Sequence, residues 1–88
     1  MKILGKHKIA NFIAKKPSTQ NQVSSWVYEA EDADWGDEDD IGSRYSDAMI
    51  QSGNLITFYL RRINCGIMVK ISYLARIIAI KDVFSTTE

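Results

Sequence analysis

The chain has 88 residues and a formal net charge of zero, and 45% of its residues are apolar, including two Trp, four Tyr and three Phe. That is enough for one packed domain spanning residues 1–88, and it argues against two domains or a disordered chain. No apolar run approaches the ~20 residues of a bilayer span, and residues 1–8 lack the apolar stretch of a secretory signal, so no membrane partner is expected. With one cysteine, Cys65, and one histidine, His7, no internal disulfide, metal site or cofactor is expected, and a reducing, cytoplasmic setting fits.

Ile3 and Leu4 start a short strand before Gly5. Over residues 6–16, Ile9, Phe12 and Ile13 recur at i, i+3, i+4 with lysines on the other face, which predicts an amphipathic helix. Pro17 ends it, because its ring cannot continue the hydrogen-bond ladder. A second helix follows at once, with Ser18 or Thr19 as N-cap and Thr19 and Gln22 at capping-box spacing. Its buried stripe is Val23, Trp26, Val27 and Ala30. A tight turn between the two predicts an antiparallel pair. Residues 31–53 read as irregular, with one short helical turn at Asp37-Glu38-Asp39-Asp40, where acids suit a helix N-terminus.

The period then changes from helical to alternating. In Leu55–Leu60, the residues Ile56, Phe58 and Leu60 share a face. In 67–73, Ile67, Val69, Ile71 and Tyr73 share one face while Met68, Lys70 and Ser72 share the other. In 76–83, the run Ile77-Ile78-Ala79-Ile80 predicts a central strand covered on both sides. Arg61-Arg62-Ile63-Asn64 and Leu74-Ala75 are hairpin links. The expected fold is α+β, with two N-terminal helices packed on a small, mainly antiparallel sheet in the order β-α-α-β-β-β.

The zero net charge hides segregation. Residues 1–17 carry Lys2, Lys6, Lys8, Lys15 and Lys16 and no acid; residues 29–47 are strongly acidic with Arg44 the lone cation; residues 53–82 are basic again. Such blocks put opposite potentials on different parts of the surface. No phosphate-binding glycine loop or nucleophile elbow is present. The chemistry on offer is the basic sheet: Arg61 and Arg62 at one hairpin, Arg76 at the other, Lys70 and Lys81 within strands. On one shared face they make a surface for RNA phosphate. On edges they only block sheet-to-sheet pairing.

Several blocks run in order along the whole chain: Met1-Lys2-Ile3-Leu4 with Lys6 and Lys8; Lys16-Pro17 before a helix containing Trp26; Ala33-Asp34-Trp35; Arg44-Tyr45-Ser46-Asp47-Ala48; Gly53-Asn54-Leu55 with Phe58, Ile71 and Tyr73; and Ile80-Lys81-Asp82-Val83 before the tail. This ordered set resembles the HigB toxin family, within the RelE-like superfamily of bacterial toxin–antitoxin systems. The resemblance implies a RelE-like fold and a ribosome-dependent, metal-independent endoribonuclease that cleaves translated mRNA. It implies a helix-turn-helix antitoxin of the HigA type as partner. It implies that Lys81, Asp82, Thr86 and Glu88 line the scissile phosphate, and that Arg61, Arg62, Lys70 and Arg76 bind RNA. Three positions depart from the family pattern: Thr86 stands where relatives carry His, Asp82 where they often carry His, and Gly66 where they usually carry Arg. These departures motivate an alternative, a catalytically inactive relative that acts as an antitoxin-binding, regulatory protein.

Overall fold

Three helices lie against one face of a mixed sheet. The computed structural model describes residues 1–86. In chain order the elements are β1 (Lys2–Leu4), α1 (Lys6–Lys15), α2 (Gln20–Asp32), α3 (Glu38–Arg44), β2 (Met49–Gln51), β3 (Leu55–Leu60), β4 (Cys65–Ser72) and β5 (Ile77–Ser85).

The helices follow the apolar spacing. α1 buries Ile9 and Phe12, and α2 buries Val23, Trp26 and Ala30. Lys6 at the start of α1 meets Glu31 near the end of α2 at 2.6 Å, so the two run antiparallel as expected. Gly5 joins β1 to α1 at φ 86°, and a Cβ there would lie 3.1 Å from the Ile80 carbonyl oxygen. Only glycine adopts that left-handed geometry at no steric cost while letting α1 pass so close to β5. The expected capping box is absent. The α1–α2 link tightens into a 3-10 turn, Pro17–Thr19, and the Thr19 hydroxyl donates back to the Lys16 carbonyl at 2.7 Å instead of capping α2. The short helical turn in the acidic stretch is a full α3. The Asp37 carboxylate accepts from the Asp39 and Asp40 amides at 3.0 and 3.2 Å, and acids fill the first turn while Arg44 sits in the last. Both features complement the helix dipole.

The sheet order is β1-β5-β4-β3-β2, antiparallel throughout except for the parallel β1–β5 pair. It holds one strand more than expected. Met49–Gln51 lies in the stretch read as irregular, yet pairs with β3, Ile50 opposite Ile56. Three exposed residues at an edge carry no alternation of their own; the ladder to β3 makes them a strand.

One face of the sheet carries the core. Ile56, Phe58, Ile67, Val69, Ile71, Ile78 and Ile80 form a single cluster with Ile9, Phe12, Val23, Trp26, Ala30 and Ile41 from the helices. Phe58 is its hub, with ring centroids 5.2 Å from Trp26, 5.7 Å from Trp35 and 5.0 Å from Tyr45. The opposite face carries Leu4, Lys70 and Ser72, all exposed. β5 lies between β1 and β4, as its apolar run suggests, but it is not covered on both faces. Ile78 and Ile80 are buried while Ile77 and Ala79 are half-buried.

Candidate functional site

A break in the β4–β5 ladder decides the geometry near the end of the chain. Val69 stands opposite Ile80 and Met68 opposite Asp82, so Lys81 is an extra residue without a partner on β4. A bulge of this kind bends the strand and re-aims its side chains. The Lys81 carbonyl, released from the ladder, accepts from the Lys8 ammonium of α1 at 3.0 Å. Between α1 and the bulge lies a notch of about 230 Å³, lined by Lys8, Asn11, Phe12, Lys15, Lys81, Asp82 and Val83. Lys16, the residue after α1, donates to the Ser85 hydroxyl at 3.4 Å.

The expected site residues do not come together. Lys81 and Asp82 line the notch. Thr86 is beyond β5, exposed, and its amide donates to the Asn64 carbonyl in the β3–β4 link at 2.8 Å. Glu88 lies outside the described residues. Lys70 is on the open face, opposite Leu55 and Ala79, and lines a separate hollow of about 430 Å³ with Asn54, Tyr73 and Ile77. Arg61 is held by Asp47 at 2.8 Å and lies over the Tyr59 ring. Arg76 pairs with Asp34 and sits in the β4–β5 turn at φ 60°, a left-handed conformation set by the turn. Arg62 is exposed, and no ion pair involves it among the described residues. The basic residues of the sheet therefore divide among the notch, the open face and the two hairpin ends.

Position 66 has a local reason to lack a side chain. A Cβ there would fall 2.4 to 3.0 Å from three ring atoms of Phe84, the residue opposite it on β5. The ring lies across Gly66 and fills the space an arginine would start from.

Lys8, Asn11 and Lys15 were not among the expected site residues. Their signal was present in the sequence: i, i+3 and i+7 put them on one helix stripe. What the sequence did not supply was the strand that stripe faces.

The buried titratable groups are poor nucleophiles. Burial pushes the Cys65 thiol up to about 11, against a smaller pull from Lys16. Burial, together with the hydrogen bond it donates to Glu29, raises the Tyr45 phenol well above its usual range. Tyr73 is raised by burial and by the acids Glu38, Asp37 and Asp40. Among the described residues, no group of three or more His, Cys, Asp or Glu is placed to hold a metal ion. No helix among them is long and apolar enough to cross a membrane.

A second surface lies between the helices. A groove of about 400 Å³ is floored by Ile9, Ala10, Ile13 and Val27 and closed at one end by the Lys6–Glu31 pair. Tyr28 stands on its rim, 73% exposed. No protein-family model matches the chain, and no curated protein does.

Proposed function

We propose that the chain is a RelE-like toxin of the HigB type, acting in the cytoplasm as a ribosome-dependent endoribonuclease on translated mRNA. The observation that carries the reading is the notch. It brings Lys81 and Asp82, on the strand where the resemblance puts the catalytic residues, against the cations of α1. The α+β order and the helices on one sheet face agree with the fold that the resemblance implies.

The chemistry requires a ribose 2′-hydroxyl to attack the adjacent phosphorus while the 5′-oxygen leaves. Negative charge builds on the non-bridging oxygens, and ammonium groups fixed nearby stabilise it. Asp82 is the carboxylate on the notch wall able to take the 2′-hydroxyl proton. Its charge also repels phosphate, so Lys8, Lys15 and Lys81 must outweigh it. Thr86 cannot titrate as an imidazole does, and loss of a general acid or base typically removes about 10²–10⁴-fold in rate. A slow nuclease is the expected result.

The second reading is a catalytically inactive relative that binds a helix-turn-helix antitoxin of the HigA type. The Phe84 ring over Gly66 favours it, since the chain has filled with an aromatic side chain the place where relatives usually carry Arg. The apolar groove between α1 and α2 is a surface on which a partner helix fits.

A translation reaction containing the protein and a defined mRNA, read by primer extension, separates the two. New 5′ ends inside translated codons, absent without ribosomes and reduced by Lys81→Gln, support the nuclease. No new ends at high protein concentration, together with capture of a co-encoded helix-turn-helix protein, supports the inactive relative.

A further inference from the structure

We propose that the groove between α1 and α2 is a self-association surface: two copies of the chain pair about a twofold axis, and each places its Tyr28 ring in the groove of the other. The inference goes beyond the nuclease reading and does not depend on it. The groove is the one that the inactive reading gives to a partner helix, so the pairing and that complex exclude one another.

The surface has the composition of a protein contact and not of a helix face in water. Its floor is Ile9, Ala10, Ile13 and Val27, and Tyr28 stands beside it, 73% exposed. The exposed positions around it, Ala10, Ala14, Asn21 and Ser25, are small or uncharged. The outer face of a surface helix ordinarily carries charges, whereas the centre of a protein contact is depleted in them and enriched in tyrosine. Groove and ring lie side by side on each copy, so one twofold rotation fills both grooves at once, as an isologous contact requires. A volume of about 400 Å³ is the space of about a dozen waters at roughly 30 Å³ each, room for a phenol ring.

Charge complementarity selects a second copy as the occupant. Residues 1–28 contain no acid. The helix pair therefore carries Lys15 and Lys16 beside the α1–α2 turn at one end. Glu31 and Asp32 lie at the other end, where Lys6 neutralises Glu31 and no ion pair among the described residues involves Asp32. A twofold axis lying across the helices sets the two copies antiparallel and lays the acidic end of each over the basic end of the other. An axis along the helices would set like charges together. The size of the patch fixes the strength. α2, at 13 residues, is about 20 Å long at 1.5 Å per residue, and two packed helices are about 20 Å wide. The patch is then about 400 Å² per copy and about 800 Å² in all, below the roughly 1,200–2,000 Å² of stable complexes. The pairing is therefore weak, with a dissociation constant on the order of 100 μM.

The test is sedimentation equilibrium of the full chain from about 10 μM to about 1 mM, the range that a contact of this size calls for. The expected result is a monomer–dimer equilibrium, with NMR amide shifts at residues 9–14 and 24–31 that change with concentration. Tyr28→Glu, at an exposed position, should keep the far-UV circular dichroism of the parent. It should weaken pairing about tenfold for each ring, and so about a hundredfold across the twofold axis, leaving a monomer throughout. Ala10→Glu, on the groove floor, should do the same. Raising salt from about 50 mM to about 500 mM should weaken the parent dimer, because it screens the attraction between opposite ends. Three outcomes overturn the proposal: a monomer at the highest concentration, a dimer that the folded Tyr28→Glu chain still forms with the parent affinity, or a dimer that salt tightens.

Discussion

Gly66→Ala probes the cross-strand packing that separates this chain from the pattern it resembles. The added Cβ would lie 2.4, 2.6 and 3.0 Å from ring atoms of Phe84, whereas carbon atoms pack at about 3.5–4.0 Å. An overlap near 1 Å cannot be absorbed in place, so the half-buried ring must swing off the strand and lose its contact with the backbone. Overpacking of this kind costs about 1–3 kcal/mol. Replacing a strand glycine by alanine returns about 0.5–1 kcal/mol through the unfolded chain. The expected net loss is ~1 kcal/mol, which lowers Tm by about 4–8 °C in a domain of this size. Urea unfolding followed by far-UV circular dichroism measures it. In a Phe84→Ala background the obstacle is gone, and the same substitution should be neutral or stabilising, a coupling of about 1–2 kcal/mol in a double-mutant cycle. If Gly66→Ala is as stable as the parent and the two changes are additive, the ring does not hold position 66 and the account is wrong.

Other expectations follow from the core and its buried hydroxyl and thiol groups. Phe58→Ala removes the ring that touches Trp26, Trp35 and Tyr45, and should cost about 3–5 kcal/mol in urea unfolding; a loss below 1 kcal/mol would mean those rings close over the gap. Tyr45 keeps its proton in the folded chain well above the pH at which an unfolded tyrosine ionises, because it is buried and donates to Glu29. Above about pH 10 the folded state then holds more protons than the unfolded state, so stability falls as pH rises. Urea midpoints from pH 8 to 11 should show this fall, and Tyr45→Phe should shrink it. The Cys65 thiol, raised from 9.0 to about 11, should have about a hundredfold less thiolate at pH 8 than an exposed cysteine. Labelling by a disulfide reagent should be slow in the folded chain and fast in denaturant; rapid labelling of the folded chain would contradict the burial.

Much of the local structure was legible before the fold was known, because local periodicity reports burial. Ile9 with Phe12, and Val23 with Trp26 and Ala30, mark helix faces that the core confirms. The alternation of Ile56 and Phe58 marks β3 over the predicted span. Trp26 and Phe58 lie 32 positions apart in sequence, and no pattern in either segment said that their rings would meet. β2 was missed because its strand character comes from β3 and not from its own residues.

For the functional site the division is sharper. Sequence alone established which lysines exist, that Lys8 and Lys15 share a helix stripe, and that nine of the eleven acids fall within residues 29–47. Periodicity describes one segment against solvent, so it carries no information about which other segment lies opposite. Tertiary structure decided the rest. Antiparallel pairing of β4 and β5 set the register, the bulge took Lys81 out of it, and the close approach of Gly5 to Ile80 let α1 start against β5, with Lys8 reaching the Lys81 carbonyl. Arg61 and Arg76, equal candidates by charge, were matched with Asp47 and Asp34 by the same long-range packing. Coulomb interactions act across space and not along the chain, so only the folded arrangement could separate the cations that are paired from those left facing a notch.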